Sequence, residues 1–313
     1  MIPALQTTLD PFGPQAAHIH FLWVLFLWVS VGVYIVTMTV VLATVWHKRP
    51  AGEDSAESSR AGYAVAGATV VTIFTLFVLL AASAVKSHAL AELRPKDALK
   101  IRLTGNQWWW DVVYLNSDPT QEIRTANEIH IPVGRAVQFD LSSADVIHSF
   151  WVPNLHGKTD LMPGKTTVTW LRADRPGVYR GQCAEFCGLQ HAHMAFFIFA
   201  ETQDTFVEWY ATQLKAAADP AGNAQRLRGR EVLVASCGPC HTVRGTAAGG
   251  RYGPDLTHVA SRRTIAAGTV PLHYQNLRRW VSDPQQVKPG NNMPSIHLAN
   301  DLEAVVSYLV SLK

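Results

Sequence analysis

The chain has 313 residues, enough for about two domains of ordinary size. Charged residues make up only 16% and hydrophobic residues 48%, whereas about a quarter of a typical soluble protein is charged, so the composition indicates membrane segments. The net charge of +3 comes without any basic run, which gives no support for a nucleic-acid partner.

Two long apolar segments come first in the chain. Residues 21–46 and 63–85 contain no Asp, Glu, Lys or Arg. At about 1.5 Å per residue, each is longer than a hydrocarbon core of about 30 Å, so we predict a transmembrane helical hairpin over 21–86. A pair of buried core helices is the alternative. A signal peptide is disfavoured because the first segment is too long and no Lys or Arg precedes it.

The basic residues around this hairpin predict its orientation. Residues 1–20 contain no Lys or Arg, whereas the loop between the spans carries Lys48, Arg49 and Arg60. The positive-inside tendency places that loop in the cytoplasm, and residues 1–20 and both chain ends outside. Three basic residues after the second span oppose this reading: Lys86, Arg94 and Lys96. A long translocated domain can override such charges, so we expect everything after residue 86 on the periplasmic or equivalent face.

The rest of the chain divides into two further units. Residues 97–203 contain short runs rich in Val, Ile, Thr and aromatic residues, punctuated by Pro and Gly, which predicts an antiparallel sandwich or barrel. Residues 204–226 are typical of a short helix followed by a linker. Residues 227–313 begin and end with helical patterns, and the last one places Leu302, Val305, Val306 and Leu309 on one face.

A dense group of candidate metal ligands lies near the end of the β-rich unit. Cys183, Cys187, His191 and Met194 fall within twelve residues, and His148 lies at the end of an earlier strand pattern. Thiolate and thioether sulfur select copper among the common metals, and imidazole suits it. Two thiolates can bridge two copper ions with one His for each, and Met194 as a weak ligand. A Cys₂His₂ zinc site and a Cys183–Cys187 disulfide are the alternatives.

These residues lie in motifs that resemble a known family. SADVIHSFWVP, KTDLMPGK and GQCAEFCGLQHAHM resemble the binuclear copper (CuA) domain of cytochrome c oxidase subunit II, and GNQWWW is similar to that family's aromatic cluster. The resemblance implies a cupredoxin-like Greek-key barrel over 97–203. It implies the copper ligands His148, Cys183, Cys187, His191, Met194 and the backbone carbonyl of Glu185. His193 is out of register and is not expected to bind copper.

The same resemblance implies roles for residues around the copper ligands. The Glu185 side chain is expected to reach a magnesium ion shared with subunit I, with Lys158 and Asp160 near that subunit. Trp108 is expected to be the point where electrons enter. By themselves, the tryptophans at 108–110 are equally compatible with core or membrane-interface aromatic residues.

A second motif lies at the start of the last unit. Cys237-Gly-Pro-Cys240-His241 is the attachment signature of c-type haem, in which the His becomes an axial ligand. Met293 is the only Met after this motif and is the best candidate for the second axial ligand. Thioredoxin also carries Cys-Gly-Pro-Cys, but at the end of a strand in a βαβ unit. Three histidines are weaker axial candidates: His258, His273 and His297.

The sequence around this motif resembles the cytochrome c domain fused to caa-type oxidases. The matching segments are GREVLVASCGPCHTV, GPDLTHVASR and NLRRWVSDPQQVKPGNNMP. The resemblance implies an all-α class I cytochrome c domain over 227–313, in which the Pro254 carbonyl holds the ring of the haem-ligating His.

Together the resemblances imply subunit II of a respiratory terminal oxidase in a bacterial inner membrane. External cytochrome c, or another donor, would reduce haem c, and electrons would pass to CuA and then to subunit I. Oxygen reduction and proton pumping would belong to subunit I, and subunit III is a further expected partner. A stand-alone electron carrier or copper-delivery protein is the alternative from another class. A component of a nitric-oxide or nitrous-oxide reductase is a third alternative, although a nitrous-oxide reductase would need a further His-rich copper domain. A quinol-oxidase subunit II would lack the thiolate pair of Cys183 and Cys187.

Overall fold

The computed structural model describes residues 5–46, 56–92 and 97–313. The α helices in these ranges are α1 Pro14–Trp46, α2 Ala56–Glu92, α3 Gln203–Gln213, α4 Ala224–Ser236, α5 Tyr274–Ser282, α6 Pro284–Val287 and α7 Leu302–Leu309. The strands are β1 Leu99–Asn106, β2 Trp109–Tyr114, β3 Ile123–Ala126, β4 Glu128–Pro132, β5 Val137–Ser143, β6 His148–Trp151, β7 Thr159–Leu161, β8 Thr167–Leu171, β9 Gly177–Cys183, β10 Ala195–Glu201, β11 Thr264–Ile265 and β12 Val270–Pro271.

The chain separates into two compact units, one of which, Ala17–Arg94, contains most of the two long helices. Their candidate membrane spans are Pro14–Trp46 and Ala61–His88, both long and apolar enough to cross a membrane. Large apolar side chains such as Trp28 and Phe77 point outward, which is favourable in lipid and costly in water. These features confirm the predicted apolar helical pair.

The first helix differs from the predicted span at its start. It begins at Pro14, seven residues before the apolar run. The predicted span was bounded by hydrophobicity, whereas the helix also includes residues 14–20, some of which are polar. The loop that carries Lys48 and Arg49 lies outside the described residues, so the membrane orientation stays a prediction.

Strands β1–β10 form the β domain, which has two five-stranded sheets. Their strand orders are β3-β2-β1-β5-β8 and β4-β10-β9-β6-β7. Most strand pairs are antiparallel, but β1–β5 and β4–β10 are parallel. The alternation of apolar residues predicts a strand, but it does not tell whether the neighbouring strand runs parallel or antiparallel. The largest side chains buried between the sheets are Trp110, Tyr114, Phe139, Phe150, Tyr179 and Phe196. This architecture confirms the predicted cupredoxin-like domain.

Helices α4–α7 form the helical domain. Its core includes Leu233 of α4, Leu277 of α5, and Val305 and Val306 of α7. Helices α4 and α7 approach closely at Gly229, where an added Cβ would lie 2.0 Å from the Ala304 carbonyl oxygen. The predicted all-α character is confirmed, and the short β11–β12 pair is the only sheet within residues 224–313.

Candidate metal centre and haem-attachment site

The register of two neighbouring strands brings the first set of predicted ligands together. Strand β9 ends at Cys183, and β6 begins at His148. The two strands are antiparallel, with Phe150 opposite Cys183, so the start of β6 lies beside the loop that follows β9. The sequence pattern placed His148 at the end of a strand, whereas the structure places it at the start of the next one.

The side chains of the five predicted ligands converge in the folded protein. The two sulfur atoms of Cys183 and Cys187 are 3.7 Å apart. His148 Nδ1 lies 3.8 Å from Cys183 Sγ, and His191 Nδ1 lies 3.6 Å from Cys187 Sγ. Met194 Sδ lies 3.8 Å from Cys187 Sγ. Both cysteines and Met194 are buried. Each sulfur of the Cys pair therefore has one imidazole neighbour.

The donor set distinguishes the alternatives for this site. Both cysteines are free, and 3.7 Å between their sulfurs is well beyond the about 2.05 Å of a disulfide. A tetrahedral zinc site needs four donors around one ion, but the donor atoms that lie within 4.8 Å of one another come from His148, Cys183 and Cys187. His191 approaches Cys187 and is not a member of that group. Soft sulfur combined with imidazole fits copper.

The pKa values of the Cys183 and Cys187 thiols also fit a site that binds a metal cation. The hydrogen bond between the two thiols lowers the pKa of Cys183 to about 3, against the opposing effect of burial, and His148 lowers this pKa further. The neighbouring sulfur and burial raise the pKa of Cys187. The pair thus loses one proton readily, and a second thiolate forms only when positive charge is placed beside it.

One carboxylate that sequence reasoning missed orients the His148 ring. Asp145 Oδ1 lies 2.8 Å from His148 Nε2, and a carboxylate can only accept, so Nε2 carries the proton and Nδ1 faces the sulfurs. Asp145 Oδ2 accepts the Gln107 backbone N–H at 2.7 Å. The available signal was an Asp three residues before the His. Gly105 leaves room for the ring, since an added Cβ would lie 2.7 Å from His148 Cδ2.

The aromatic turn before β2 contacts the ligand loop directly. Trp108 Nε1 donates to the Cys187 carbonyl oxygen at 2.9 Å, and Gln107 Nε2 donates to the same oxygen at 2.7 Å. Trp108 is only 8% exposed. Trp110 is fully buried and packs edge-on against Phe196, as a core residue does. Its ring also lies 6.1 Å, between centroids, from the ring of His148. Trp108 differs from Trp110 in that its indole N–H donates a hydrogen bond to the ligand loop.

Glu185 presents its two oxygen types in different directions. Its backbone carbonyl oxygen lies 3.1 Å from Cys183 Sγ, beside the proposed copper position. Its carboxylate lies 3.2 Å from Lys158 Nζ, which is 3.9 Å from Asp160. The magnesium role of Glu185 stays a prediction. His193 Nδ1 lies 2.8 Å from Gln190 Oε1.

The Cys-x-x-Cys-His motif forms the turn that ends α4. Cys237 caps the helix, and its carbonyl oxygen accepts the backbone N–H groups of Cys240 and His241. His241 Nδ1 lies 2.8 Å from the Pro254 carbonyl oxygen, so this nitrogen carries the proton and Nε2 keeps its lone pair. Burial lowers the pKa of His241, which also favours a neutral ligand. At Gly253, an added Cβ would lie 2.5 Å from His241 Cε1.

This arrangement fits a covalently attached haem and not a thioredoxin motif. The motif follows a helix, whereas the thioredoxin motif follows a strand of a parallel sheet. The side chain of Arg262 adds a second observation: it is half-buried, and within the described part of the chain its Nε has no hydrogen-bond partner. Its charge lies close enough to lower the pKa of His241. Asp255 and Glu128 are already acidic neighbours of this guanidinium, and its Nη2 donates to the Asp255 carbonyl oxygen. Its Nε keeps one donor that an acidic group of a bound haem would fit.

The candidates for the second axial ligand are distributed over the helical domain. The Met293 backbone is held by Asn291 Oδ1 and by Gln285 Nε2, each at 2.8 Å. Both ring nitrogens of His258 contact carbonyl oxygens, those of Lys313 and Lys215, so this ring has no nitrogen left for iron. His273 caps α5, and His297 is exposed. The axial role of Met293 stays a prediction.

The comparisons with known proteins match both domains. Residues 99–201 match the family described as cytochrome c oxidase subunit II, periplasmic domain, and residues 227–313 match cytochrome c. Cytochrome c oxidase subunit 2 of Alkalihalophilus pseudofirmus is 35% identical over 98% of this chain and 91% of that protein. The protein of the same name from Bacillus sp. PS3 is 31% identical over 78% of this chain and 73% of that protein.

A solved structure, the periplasmic domain of subunit II of cytochrome oxidase of Bradyrhizobium japonicum, is 31% identical, with a TM-score of 0.36. It covers 38% of this chain and 95% of that chain.

Two apolar helices, a cupredoxin-like domain with a Cys, His and Met cluster, and a helical domain with a haem-attachment motif define a membrane-bound redox protein. With a relative 35% identical over nearly its whole length, the chain belongs to the cytochrome c oxidase subunit 2 family. This family and its cytochrome c domain imply copper and haem binding in a terminal oxidase.

Proposed function

We propose that this chain carries electrons from an external donor, such as a cytochrome c, into a haem–copper oxidase. When bound, haem c and a binuclear copper centre supply two one-electron carriers, so electrons would pass from the donor through both to subunit I, where oxygen is reduced and protons are pumped. The observation that carries the proposal is the pairing of each buried thiol, Cys183 and Cys187, with its own imidazole in a chain that also holds a haem-attachment turn.

The residues of the β domain would hold copper in a closed site. Cys183 and Cys187 would bridge two copper ions, and His148 and His191 would each bind one of them. Met194 and the Glu185 carbonyl oxygen would complete the coordination as weak ligands. Because both thiols are buried, water and small substrates are kept from the metals, which suits electron transfer without bond chemistry.

The residues of the helical domain would hold haem covalently. Cys237 and Cys240 would form thioethers with the porphyrin, and His241 and Met293 would supply the nitrogen and sulfur ligands of its iron. The Pro254 carbonyl oxygen fixes the His241 ring, and a Met opposite a His raises the reduction potential of haem. The external donor would thus meet a carrier of comparatively high potential.

The membrane helices would anchor these carriers next to subunits I and III. We propose that the membrane is a bacterial inner membrane, with both domains and both chain ends on its outer face. The apolar runs over 21–46 and 63–85 contain no Asp, Glu or His that would form a proton path. Glu185 would contribute to a magnesium site shared with subunit I.

Purification of the tagged chain from its native membrane tests the proposal. The complex should contain a haem–copper subunit, two copper ions per chain, a c-type band in reduced-minus-oxidised spectra and a near-infrared copper band. It should consume oxygen when supplied with reduced cytochrome c. Zinc in place of copper, or free thiols at Cys237 and Cys240, would contradict it. Recovery of the loaded chain without a haem–copper subunit would instead favour a stand-alone carrier.

A further inference from the structure

A buried lysine joins the helical domain to the β domain beside the metal centre. Lys288 is 2% exposed, and its Nζ donates to three backbone carbonyl oxygens. These belong to Trp108 at 2.8 Å, His193 at 2.7 Å and Ala266 at 2.8 Å. The three acceptors come from the aromatic turn, the metal-ligand loop and the helical domain itself. One side chain therefore connects the segments that surround the site.

The chemistry of this contact favours a single docked position. A buried ammonium is costly unless all of its donors are satisfied, and an ammonium has three donors, which matches the three carbonyl oxygens. Burial lowers the pKa of Lys288 to about 7, and the charge of the nearby Cys187 acts in the opposite direction. Both the charged and the neutral amine keep N–H donors for these acceptors. Two of the three partners are lost if the helical domain moves away.

The residues that follow Lys288 cover the same face of the β domain. Gln190 Nε2 donates to the Pro289 carbonyl oxygen at 2.8 Å. Gly290, with φ of +79°, lies so close to Leu189 that an added Cβ would be 2.7 Å from Leu189 Cδ2. Asn292 Nδ2 donates to the Gln107 carbonyl oxygen at 3.4 Å. The segment 288–292 thus lies on both the ligand loop and the turn that carries the tryptophan.

This packing decides which protein can reach the aromatic turn. Trp108 donates to the carbonyl oxygen of the ligand Cys187 and is 8% exposed, with Lys288 bonded to its own carbonyl oxygen. The Trp108 side chain packs in the core of the β domain, and the helical domain covers the backbone of the same turn through Lys288 and Asn292. Little of this turn is therefore left for a soluble protein to contact while the helical domain is in this position. The short linker over 214–223, between α3 and α4, keeps the helical domain near this face even if the contact opens.

We propose that Lys288 is a positioning residue: it holds the helical domain over Trp108, so that this domain, and not a soluble protein, delivers electrons to the metal centre. The proposal rests on the proposed function for its electron-transfer consequence. An external donor is then left with the outer surface of the helical domain as its docking site. The contact itself is a property of the fold and can be tested without reference to electron transfer.

The test is rapid mixing of the purified complex with reduced mitochondrial cytochrome c, observed at the c-type haem band and at the near-infrared copper band. In the wild type, copper reduction should follow haem reduction. In Lys288→Met, both static bands should persist, and the haem-to-copper rate should fall by about tenfold or more. A tenfold change in rate corresponds to about 1.4 kcal/mol, which is the scale of one charge-assisted hydrogen bond. Because the Met variant removes three such bonds, a loss of at least this size is expected. In this variant, part of the copper should also be reduced directly by the added cytochrome c, in a kinetic phase that does not follow haem reduction.

Two further variants complete the test. Lys165→Met removes an exposed lysine from a turn of the β domain and should behave as the wild type. Lys288→Gln keeps N–H donors on a shorter side chain, and should give a smaller loss of rate than Met. If the Met variant does not assemble, the Gln variant carries the comparison. Wild-type kinetics and no direct copper phase in an assembled Lys288 variant would overturn the proposal.

Hydrogen–deuterium exchange separates failure of this proposal from failure of the proposed function. The peptide that covers residues 105–110 should exchange faster in Lys288→Met than in the wild type or Lys165→Met, because docking no longer protects it. This readout does not depend on either cofactor. Missing copper and haem bands in the wild type would contradict the proposed function, whereas unchanged exchange would contradict the positioning role of Lys288.

Discussion

Asp145 Oδ1 lies 2.8 Å from His148 Nε2 and fixes the imidazole so that Nδ1 faces the thiol of Cys183. The same carboxylate accepts the backbone N–H of Gln107, so one side chain orients a metal ligand and the aromatic turn together. Carboxylates of this kind set both the tautomer and the basicity of a ligating histidine.

Replacing Asp145 by Asn should weaken copper binding by about 10- to 100-fold, the range typical for loss of such a partner. The Asn side chain is neutral and has one oxygen in place of two, so it can no longer accept hydrogen bonds from both His148 and Gln107 as the carboxylate does. Competition titration with a copper chelator measures the change. Asp174→Asn, which removes a half-exposed partner of Arg172, is the matched control. Equal copper affinity in the two variants would show that Asp145 does not support the ligand.

Gly105→Ala should disturb the metal site through sterics alone. The added Cβ would lie 2.7 Å from His148 Cδ2, so the ring must shift, and overpacking of this kind costs about 1–3 kcal/mol. We expect a lower melting temperature and an altered copper absorption band. Gly177→Ala is the control, since its Cβ would be 3.5 Å from Tyr179, an ordinary contact. A normal copper band in Gly105→Ala would mean that the ring has room to move.

Met293→Ala should lower the reduction potential of haem c, because Met opposite His raises that potential. The measurement is a redox titration followed at the c-type band, with covalent attachment checked separately. Met162→Ala, in the β domain, is the control. A potential equal to that of the control would exclude Met293 as the axial ligand.

Glu128 should make stability depend on pH. Burial raises its pKa above the ordinary 4.5, against the effects of His130, Arg262 and two backbone N–H groups. The folded state then binds the proton more tightly than the unfolded state, so its contribution to stability is present below about pH 4.5 and is lost as pH rises through the raised pKa.

Melting temperatures of wild type and Glu128→Gln, compared from pH 4 upward, test this expectation. The advantage of the wild type over Glu128→Gln should shrink as pH rises through that window, and Glu208→Gln, at an exposed position, should follow the wild type throughout. Parallel curves for wild type and Glu128→Gln would contradict the expected pH dependence.

The sequence by itself determined the kinds of chemistry that this chain carries. Cys183, Cys187, His191 and Met194 are close in the chain, and so are Cys237, Cys240 and His241, so their spacing alone brings each set within reach of one cofactor. The apolar runs likewise specify helices by length and composition. Local spacing and composition therefore predicted both sites and the apolar helices.

Only the tertiary structure decided how distant residues meet. His148 reaches Cys183 across 35 residues through the pairing of β6 with β9, and Lys288 reaches the Trp108 carbonyl across 180 residues through the packing of two domains. Lys288 in the sequence is one lysine in a polar loop, with nothing local to mark it as buried. Strand register and domain packing depend on the whole chain, so no local pattern contains these contacts.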